Sequence, residues 1–363
     1  DYILSVDIFS EGVDVPEINQ VIMLRPTQSP IVFIQQLGRG LRKAEDKEYV
    51  VILDFIGNYK NNFMIPIALS GDRSYNKDNV RKYVVSGNSL IPGASTIHFD
   101  EISKERIFNA VDKMKGMKAF IKESYISLKN RLGRIPRLID FYENEEIDPL
   151  IIIREYKTYY AMLKSLEKDQ KVEEVSDEEL LILEYLSKTV LSGVRPQELE
   201  LLKLMLNHEE VSIEKLQGEV SAEFGYLLNM DGIQSTLNVL EGHFVSNETE
   251  YQKYAQIDIL KASENKSIQR AEGFAQKLNE KEFHKELKDI ISVGLQRYKD
   301  KYIQNNNQDV LFVLYEKYSR RDVSFLMDCG KDLSSTMYGM KKINDDVFIF
   351  VTYHKEKTED DGK

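Results

Sequence analysis

The chain has 363 residues, a formal net charge of −11, 42% hydrophobic residues and a single cysteine, Cys329. That apolar content argues against disorder and that length for two or three domains. A lone thiol excludes a disulfide framework or a cysteine-rich zinc module and fits a reducing cytoplasm. No run approaches the 18 consecutive apolar residues a membrane-spanning helix needs, and five scattered histidines give no metal-ligand spacing.

Residues 1–75 read as part of an α/β domain. Three β-prone runs, YILSV (2–6), VIMLR (21–25) and YVVILDF (49–55), are nearly continuous in apolar character, which predicts parallel strands buried on both faces. Between the second and third lies a helix signal, with Ser29 as N-cap and Pro30 at the first helical position. Ile31, Ile34, Leu37 and Leu41 fall on one face of that helix, completing a βαβ unit with an expected right-handed crossover. Asp1 runs at once into an apolar strand-like segment, from which the expectation is a fragment cut inside a domain, with a second cut near its acidic end also open.

Residues 76–175 begin with Gly-, Asn- and Ser-punctuated loop and then read as a basic helical region, interrupted at LGRIP (132–136) in a helix-turn-helix-like signal. Residues 176–260 predict three short helices followed by β-prone sequence, a winged-helix-like module. Residues 261–307 predict a polar helical linker, and 308–363 a small α+β or β domain, with strands expected at DVLFVLYEKYS, STMYGMKKI and DVFIFVTYH. The expected fold is therefore a partial α/β domain with parallel strands, a mainly α region, and a small β-rich C-terminal domain.

Charge is unevenly spread. Residues 177–260 contain 16 acidic and 5 basic residues, whereas 102–137 contain 10 basic and 3 acidic. In the basic stretch Lys118, Lys122, Lys129, Arg131, Arg134 and Arg137 are interleaved with Phe120 and Tyr125. This pattern suits phosphate contacts to a nucleic acid, and equally a solvated helix face. The acidic stretch would repel phosphate and suits a protein partner or a spacer. Tyr315, Tyr318, Arg320 and Arg321 form an aromatic–basic cluster that could read nucleic acid or edge a β domain.

QQLGRGLR (35–42) carries the sharpest chemistry. Gln35, Arg39 and Arg42 are spaced i, i+4, i+7 and share a narrow arc beside the apolar stripe. Arginine suits multidentate contact with phosphate, and Gly38 and Gly40 let another backbone or a ligand come close. Upstream, FSEGVDVP (9–16) follows the first strand, so Gly12 and Asp14 sit in the loop beyond its carboxyl end, where open α/β sheets bind ligands.

These two segments resemble motifs V and VI of the superfamily 2 helicases, of the DEAD/DEAH-like and type III restriction-like kind. The resemblance covers about residues 1–60, the later half of the second RecA-like domain. It implies that Arg39 and Arg42 reach an ATP γ-phosphate across a cleft, with Arg42 the better match to the arginine finger. It implies coupling by Gln35, contact from Gly38, and a motif V role for Gly12 and Asp14 between nucleotide and nucleic acid. Ser10 and Thr27 are weaker candidates for contacts to a nucleic-acid backbone.

The cofactors implied are ATP and Mg²⁺. The chain has no G-x-x-x-x-G-K-[ST] loop and no D-E-x-[DH] box, so the implied site is completed by an N-terminal RecA-like domain, and this chain alone is expected to be inactive as an ATPase. LGRIPRLIDFYENEEIDP, YEKYSRRDVSFLM, STMYGMKKI and VFIFVTYHK also resemble the C-terminal extension of certain bacterial helicases, some of which carry a phospholipase-D-like nuclease domain. The implied function is an ATP-dependent DNA helicase or translocase in restriction, repair or defence. An RNA motor and a protein-interaction module of a helicase are the alternatives.

Overall fold

Two short apolar runs give the first structured element of the computed structural model, a parallel strand pair. The structure describes residues 3–4, 15–24, 33, 37–38, 40–42, 44–45, 47–55, 63–70, 77–86, 97–113, 116–144, 146–168, 173–225, 227–261, 267–303, 311–312, 318–335 and 339–350. The chain divides into two units, Asp1–Pro149 and Leu150–Lys363. Most described residues are helical, with one small parallel and two small antiparallel sheets.

In the first unit β1 (Gln20–Met23) pairs in parallel with β2 (Val51–Asp54), Val21 opposite Ile52. The expectation of strands buried on both faces fails. Met23 is buried, but Ile22, Val51, Leu53 and Phe55 are between 41 and 52% exposed. One apolar face of the pair is therefore open. The expected first strand lies mostly outside the described residues, and its described residues Ile3 and Leu4 are exposed without strand pairing.

Helices α1 (Met64–Ser70), α2 (Lys77–Ser86), α3 (Glu101–Lys113), α4 (Met117–Leu132) and α5 (Leu138–Glu143) follow. The expected break at LGRIP is present. Gly133 closes α4 in the left-handed conformation at φ 68°, its N–H donating to the Lys129 carbonyl. Arg137 then precedes α5, where the Asp140 side chain accepts from the Arg137 backbone N–H. Tyr125 stacks on Phe141, their centroids 6.4 Å apart, and ties the two helices together.

Helices α6 (Pro149–Tyr156) and α7 (Tyr159–Leu166) lead to α8 (Asp177–Thr189), α9 (Gln197–Asn207), β3 (Glu210–Ser212), α10 (Ile213–Phe224), α11 (Met230–Leu240) and α12 (Glu248–Tyr254). Side-chain caps start most of these. Ser176 and Glu179 form a capping box on α8, and Ser212, Asn229 and Asn247 cap α10, α11 and α12. Strands β4 (Leu260–Lys261) and β5 (Ser267–Arg270) complete an antiparallel sheet in the order β3-β5-β4. The expected helical linker thus opens on a strand. Ile268 is buried and flanked by half-exposed polar residues, the alternation of a half-buried strand. Helices α13 (Glu272–Lys277) and α14 (Lys281–Tyr298) follow, and a π-turn, Lys299–Ile303, extends α14.

The last segment contains α15 (Arg320–Leu326) and the hairpin β6 (Met340–Ile343) and β7 (Asp346–Ile349). Its small core joins Val323, Leu333 and Ile343, with Phe312, Tyr318, Cys329 and Phe348 packed against it. No helix among the described residues is long and apolar enough to cross a membrane.

Helix α14 organises the second unit, packing against α8 and α9. At Gly193, φ 62°, the chain crosses it so closely that a Cβ would collide with the Gly294 carbonyl and lie 2.9 Å from the Arg297 Cβ. Gly193→Ala is expected to lower stability by about 1–3 kcal/mol, measured by urea unfolding of the purified chain.

Helix α14 also buries Glu286 completely, and its Oε1 has no hydrogen-bond partner. Burial pushes the Glu286 carboxyl up to about 8; Glu282 and Asp289 push the same way, while Lys285 and the Tyr160 backbone N–H oppose. Folded Glu286 keeps its proton at neutral pH, whereas the unfolded residue ionises near the ordinary 4.5. Folding therefore takes up a proton between those values, and stability falls as pH rises through that window, by up to about 1.4 kcal/mol per pH unit. Glu286→Gln should flatten the slope between pH 5 and 8 and raise Tm most at pH 8, as read from thermal melts across that range.

Candidate functional site

Phe33, Leu37 and Gly40 are spaced i, i+4, i+7 and set the orientation of the helix carrying QQLGRGLR. Phe33 is 3% exposed, Leu37 is half-buried and Gly40 is buried. This is the seated face. The expected stripe is displaced, because Leu41 is 57% exposed. Ile31 and Ile34 lie outside the described residues. The physical reason sits at Gly40, where a Cβ would come within 2.9 Å of Val21 Cγ2 on β1. The helix end rests directly on the strand, and only glycine permits the approach. Gly38 has open space around its Cα and is exposed.

The helical hydrogen bond from Leu41 N–H to the Leu37 carbonyl, 3.1 Å, closes the last turn, and Arg42 follows it, exposed. Gln35, Arg39, Gly12, Asp14, Ser10 and Thr27 lie outside the described residues. Lys47, which belongs to neither motif, gathers this region. Its ammonium donates to three backbone carbonyls, Pro16 at 2.8 Å, Gly40 at 2.7 Å and Arg42 at 2.8 Å. No spacing rule flags such a residue, because its acceptors are backbone oxygens.

The donor set here fits phosphate, since an exposed guanidinium matches a phosphate oxygen. Among the described residues no group of three or more His, Cys, Asp or Glu converges as a metal cluster would.

The basic candidates on α4 separate into two groups. Lys118 and Lys122 are exposed, with half-buried Lys129 on the same helical face, its Nζ 5.9 Å from the Tyr125 ring centroid. Arg131 and Arg134 are engaged within the fold. Arg131 pairs with Glu146 at 3.0 Å, and Arg134 grips both Asp140 oxygens at 2.6 and 2.8 Å. Burial pushes the Asp140 carboxyl up, but the hydrogen bonds from Arg134 and the Arg137 amide, with both guanidinium charges, outweigh it and hold it below its ordinary value. Arg137 is half-buried at the head of α5.

In the C-terminal segment the aromatic–basic cluster is largely internal. Tyr318 lies edge-on to Phe312 at 5.2 Å and faces the Lys301 ammonium at 4.6 Å. Arg321 pairs with Asp332 and donates to Thr189 Oγ1 at 3.0 Å, and the Arg320 guanidinium covers the Phe350 ring at 5.3 Å. Tyr315 lies outside the described residues.

Residues 1–44 match the model of the helicase conserved C-terminal domain. This part of the chain is a superfamily 2 helicase C-terminal domain. The extension that follows matches two families described as domains of unknown function, DUF8090 over residues 121–300 and DUF3427 over 312–363. The chain is 38% identical over 74 residues to IRC3 of Saccharomyces cerevisiae, whose name describes an ATP-dependent helicase; the match covers 20% of this chain and 11% of that protein. It is 40% identical over 50 residues to MJ1505 of Methanocaldococcus jannaschii, whose name describes an ATP-dependent RNA helicase, covering 14% of this chain and 6% of that one. A 51.5 kDa protein of a Lactococcus phage is 38% identical over 55 residues, covering 15% and 12%. The chain thus matches only a small part of each relative's length.

Proposed function

We propose that this chain is the C-terminal part of an ATP-dependent DNA helicase or translocase and that Arg42, with Arg39, reaches the γ-phosphate of ATP·Mg²⁺ held mainly by an N-terminal RecA-like domain. The observation that carries the reading is the seating of the QQLGRGLR helix on β1 through Gly40, which leaves Arg42 exposed just past the last turn. The open apolar face of the β1–β2 pair supports it further, since parallel sheets are ordinarily covered on both faces. In this reading Gln35 couples the nucleotide to the nucleic acid, Gly38 contributes to the nucleotide site, and Gly12 and Asp14 lie between the two ligands. ATP and Mg²⁺ supply the phosphoryl group and its charge neutralisation. The finger stabilises the charge that develops on transfer, an effect worth roughly 10³–10⁵ in rate in GTPase systems.

The finer division follows the same reading: 1–75 the helicase domain, 76–175 a basic region contacting DNA, 176–260 a winged-helix-like module, 261–307 a linker and 308–363 a C-terminal domain. For the winged helix the support is the order α9, β3, α10, α11, α12, β4, β5 with the sheet β3-β5-β4. Its third helix, α11, keeps Met230, Asp231 and Gln234 exposed. Asn229, Asp231, Gln234 and Asn238 wall a cleft of about 510 Å³ whose other side is Leu326–Asp328 and Gly330. The acidity of residues 177–260 favours a structural or protein-contact role for the module, with DNA contact on α4. In this reading the phosphate contacts go to Lys118, Lys122 and Lys129 on one face of α4, with Arg131, Arg134 and Arg137 alongside. A cytoplasmic location accompanies the reading.

In the full-length protein, Arg42→Ala should lower nucleic-acid-stimulated ATP hydrolysis by at least 100-fold with ATP binding retained, and this chain alone should not hydrolyse ATP. Hydrolysis by the isolated chain that survives Arg42→Ala would sink the proposal. Changing Lys118, Lys122 and Lys129 together to Gln should reduce the slope of log affinity against log salt for duplex DNA by about 2–3; an unchanged slope removes α4 from the interface.

A further inference from the structure

Lys47 lies outside both recognised motifs yet touches the end of each. An ammonium carries three N–H donors, and here all three are used, on the carbonyls of Pro16, Gly40 and Arg42 at 2.7–2.8 Å. Pro16 closes FSEGVDVP, whereas Gly40 and Arg42 belong to QQLGRGLR. The Gly40 carbonyl is among the last of its helix, a group with no intrahelical partner and at the negative end of the helix dipole, where a cation is favoured. Fixing the carbonyls of residues 40 and 42 from one atom fixes the backbone on both sides of Leu41 and sets the origin of the Arg42 side chain. The third bond references that origin to the segment carrying Gly12 and Asp14.

We propose that Lys47 is a positioning residue for the arginine finger, locking the exit of the QQLGRGLR helix to the end of FSEGVDVP so that phosphate contact and nucleic-acid contact move as one rigid body. The inference rests on the proposed role of Arg42. A methionine at position 47 keeps the aliphatic stem and removes all three donors. Its three acceptors lie in partly buried to exposed surroundings, so water can replace the donors and the fold survives. An arginine keeps the charge, but its planar fork cannot meet three convergent carbonyls as a tetrahedral ammonium does, so it restores part of the function.

The test uses the full-length protein and compares Lys47→Met, Lys47→Arg, Arg42→Ala and the double variant Lys47→Met/Arg42→Ala in steady-state ATP hydrolysis, with Tm measured for each. Lys47→Met should turn over ATP at least 10-fold more slowly than wild type, with KM for ATP and the affinity for a single-stranded oligonucleotide changed less than twofold. Lys47→Arg should recover part of the lost turnover, and Lys47→Met should cost nothing further on the Arg42→Ala background. A loss in Arg42→Ala with full turnover in Lys47→Met overturns the role of Lys47 and leaves the finger standing. Multiplicative losses in the double variant also overturn it, because Lys47 would then act independently of Arg42. Full hydrolysis in Arg42→Ala overturns the finger reading and this inference with it.

Discussion

A backbone that passes a neighbour too closely to admit a Cβ fixes the distance between two elements more firmly than any side-chain contact, and both units of this chain depend on such a passage. In the first, Gly40 rests on Val21 and brings the end of the helix onto β1. In the second, Gly193 crosses α14 beside Gly294, whose own missing Cβ leaves room for Leu199. At Gly193 the facing atom is a backbone carbonyl, which has no rotamer to change, whereas at Gly40 it is the Val21 methyl, which a Cβ would force to shift. Once these crossings are set, the direction of the neighbouring side chains follows: Arg42 emerges past the helix end, and α14 meets α8 and α9.

Buried charge supplies the second layer of order. Arg195 is 6% exposed and donates to the Phe325 carbonyl at 2.7 Å, to Asp328 at 2.6 Å, to Ser235 at 3.0 Å and to Glu198. It thereby joins the start of α9, the middle of α11 and the end of α15. Desolvation raises both Glu198 and Asp328 above their ordinary values, against the pull of the arginine. A buried pair of this kind adds little net stability over an apolar substitute, while losing one partner is costly. Its consequence is geometric, since three segments far apart in sequence can meet at this guanidinium in one arrangement. Phe325, tilted by 40° against Phe244 with ring centroids 4.2 Å apart, fills the remaining space.

What is legible in the residues is what short periodicity encodes. The parallel pair at 20–23 and 51–54, the stop at Gly133 and the hairpin near 340–349 follow from local signals. Apolar periodicity misplaces the helix face because it counts Leu41 with the stripe and Gly40 against it, when a glycine with no side chain can be the most closely packed position of all. Strand β5 hides in a polar stretch, because with only Ile268 facing inward it lacks the run of apolar residues that marks a strand. Arg131 and Arg134 look like phosphate contacts because their acceptors, Glu146 and Asp140, lie in the next turn and helix, and composition counts charges without pairing them. Lys47 is invisible for a related reason, as backbone carbonyls carry no letter in a sequence.

The charge map acquires a different meaning once pairing is known. Of the basic residues around LGRIP, Arg131 pairs with Glu146 and Arg134 with Asp140, each guanidinium remaining about half exposed. In the acidic module several carboxylates are paired. Glu179 closes the α8 capping box, Glu184 and Glu250 hold Lys253 and Lys188, and Glu223 bridges Lys203 and Lys299. Pairing of this kind lowers the field the module projects without changing its formal charge. Residues 177–260 carry a net negative charge that repels phosphate, and α11 lines a cleft bounded on its other side by the C-terminal segment. That segment is held on the preceding helices through Arg195 and Arg321.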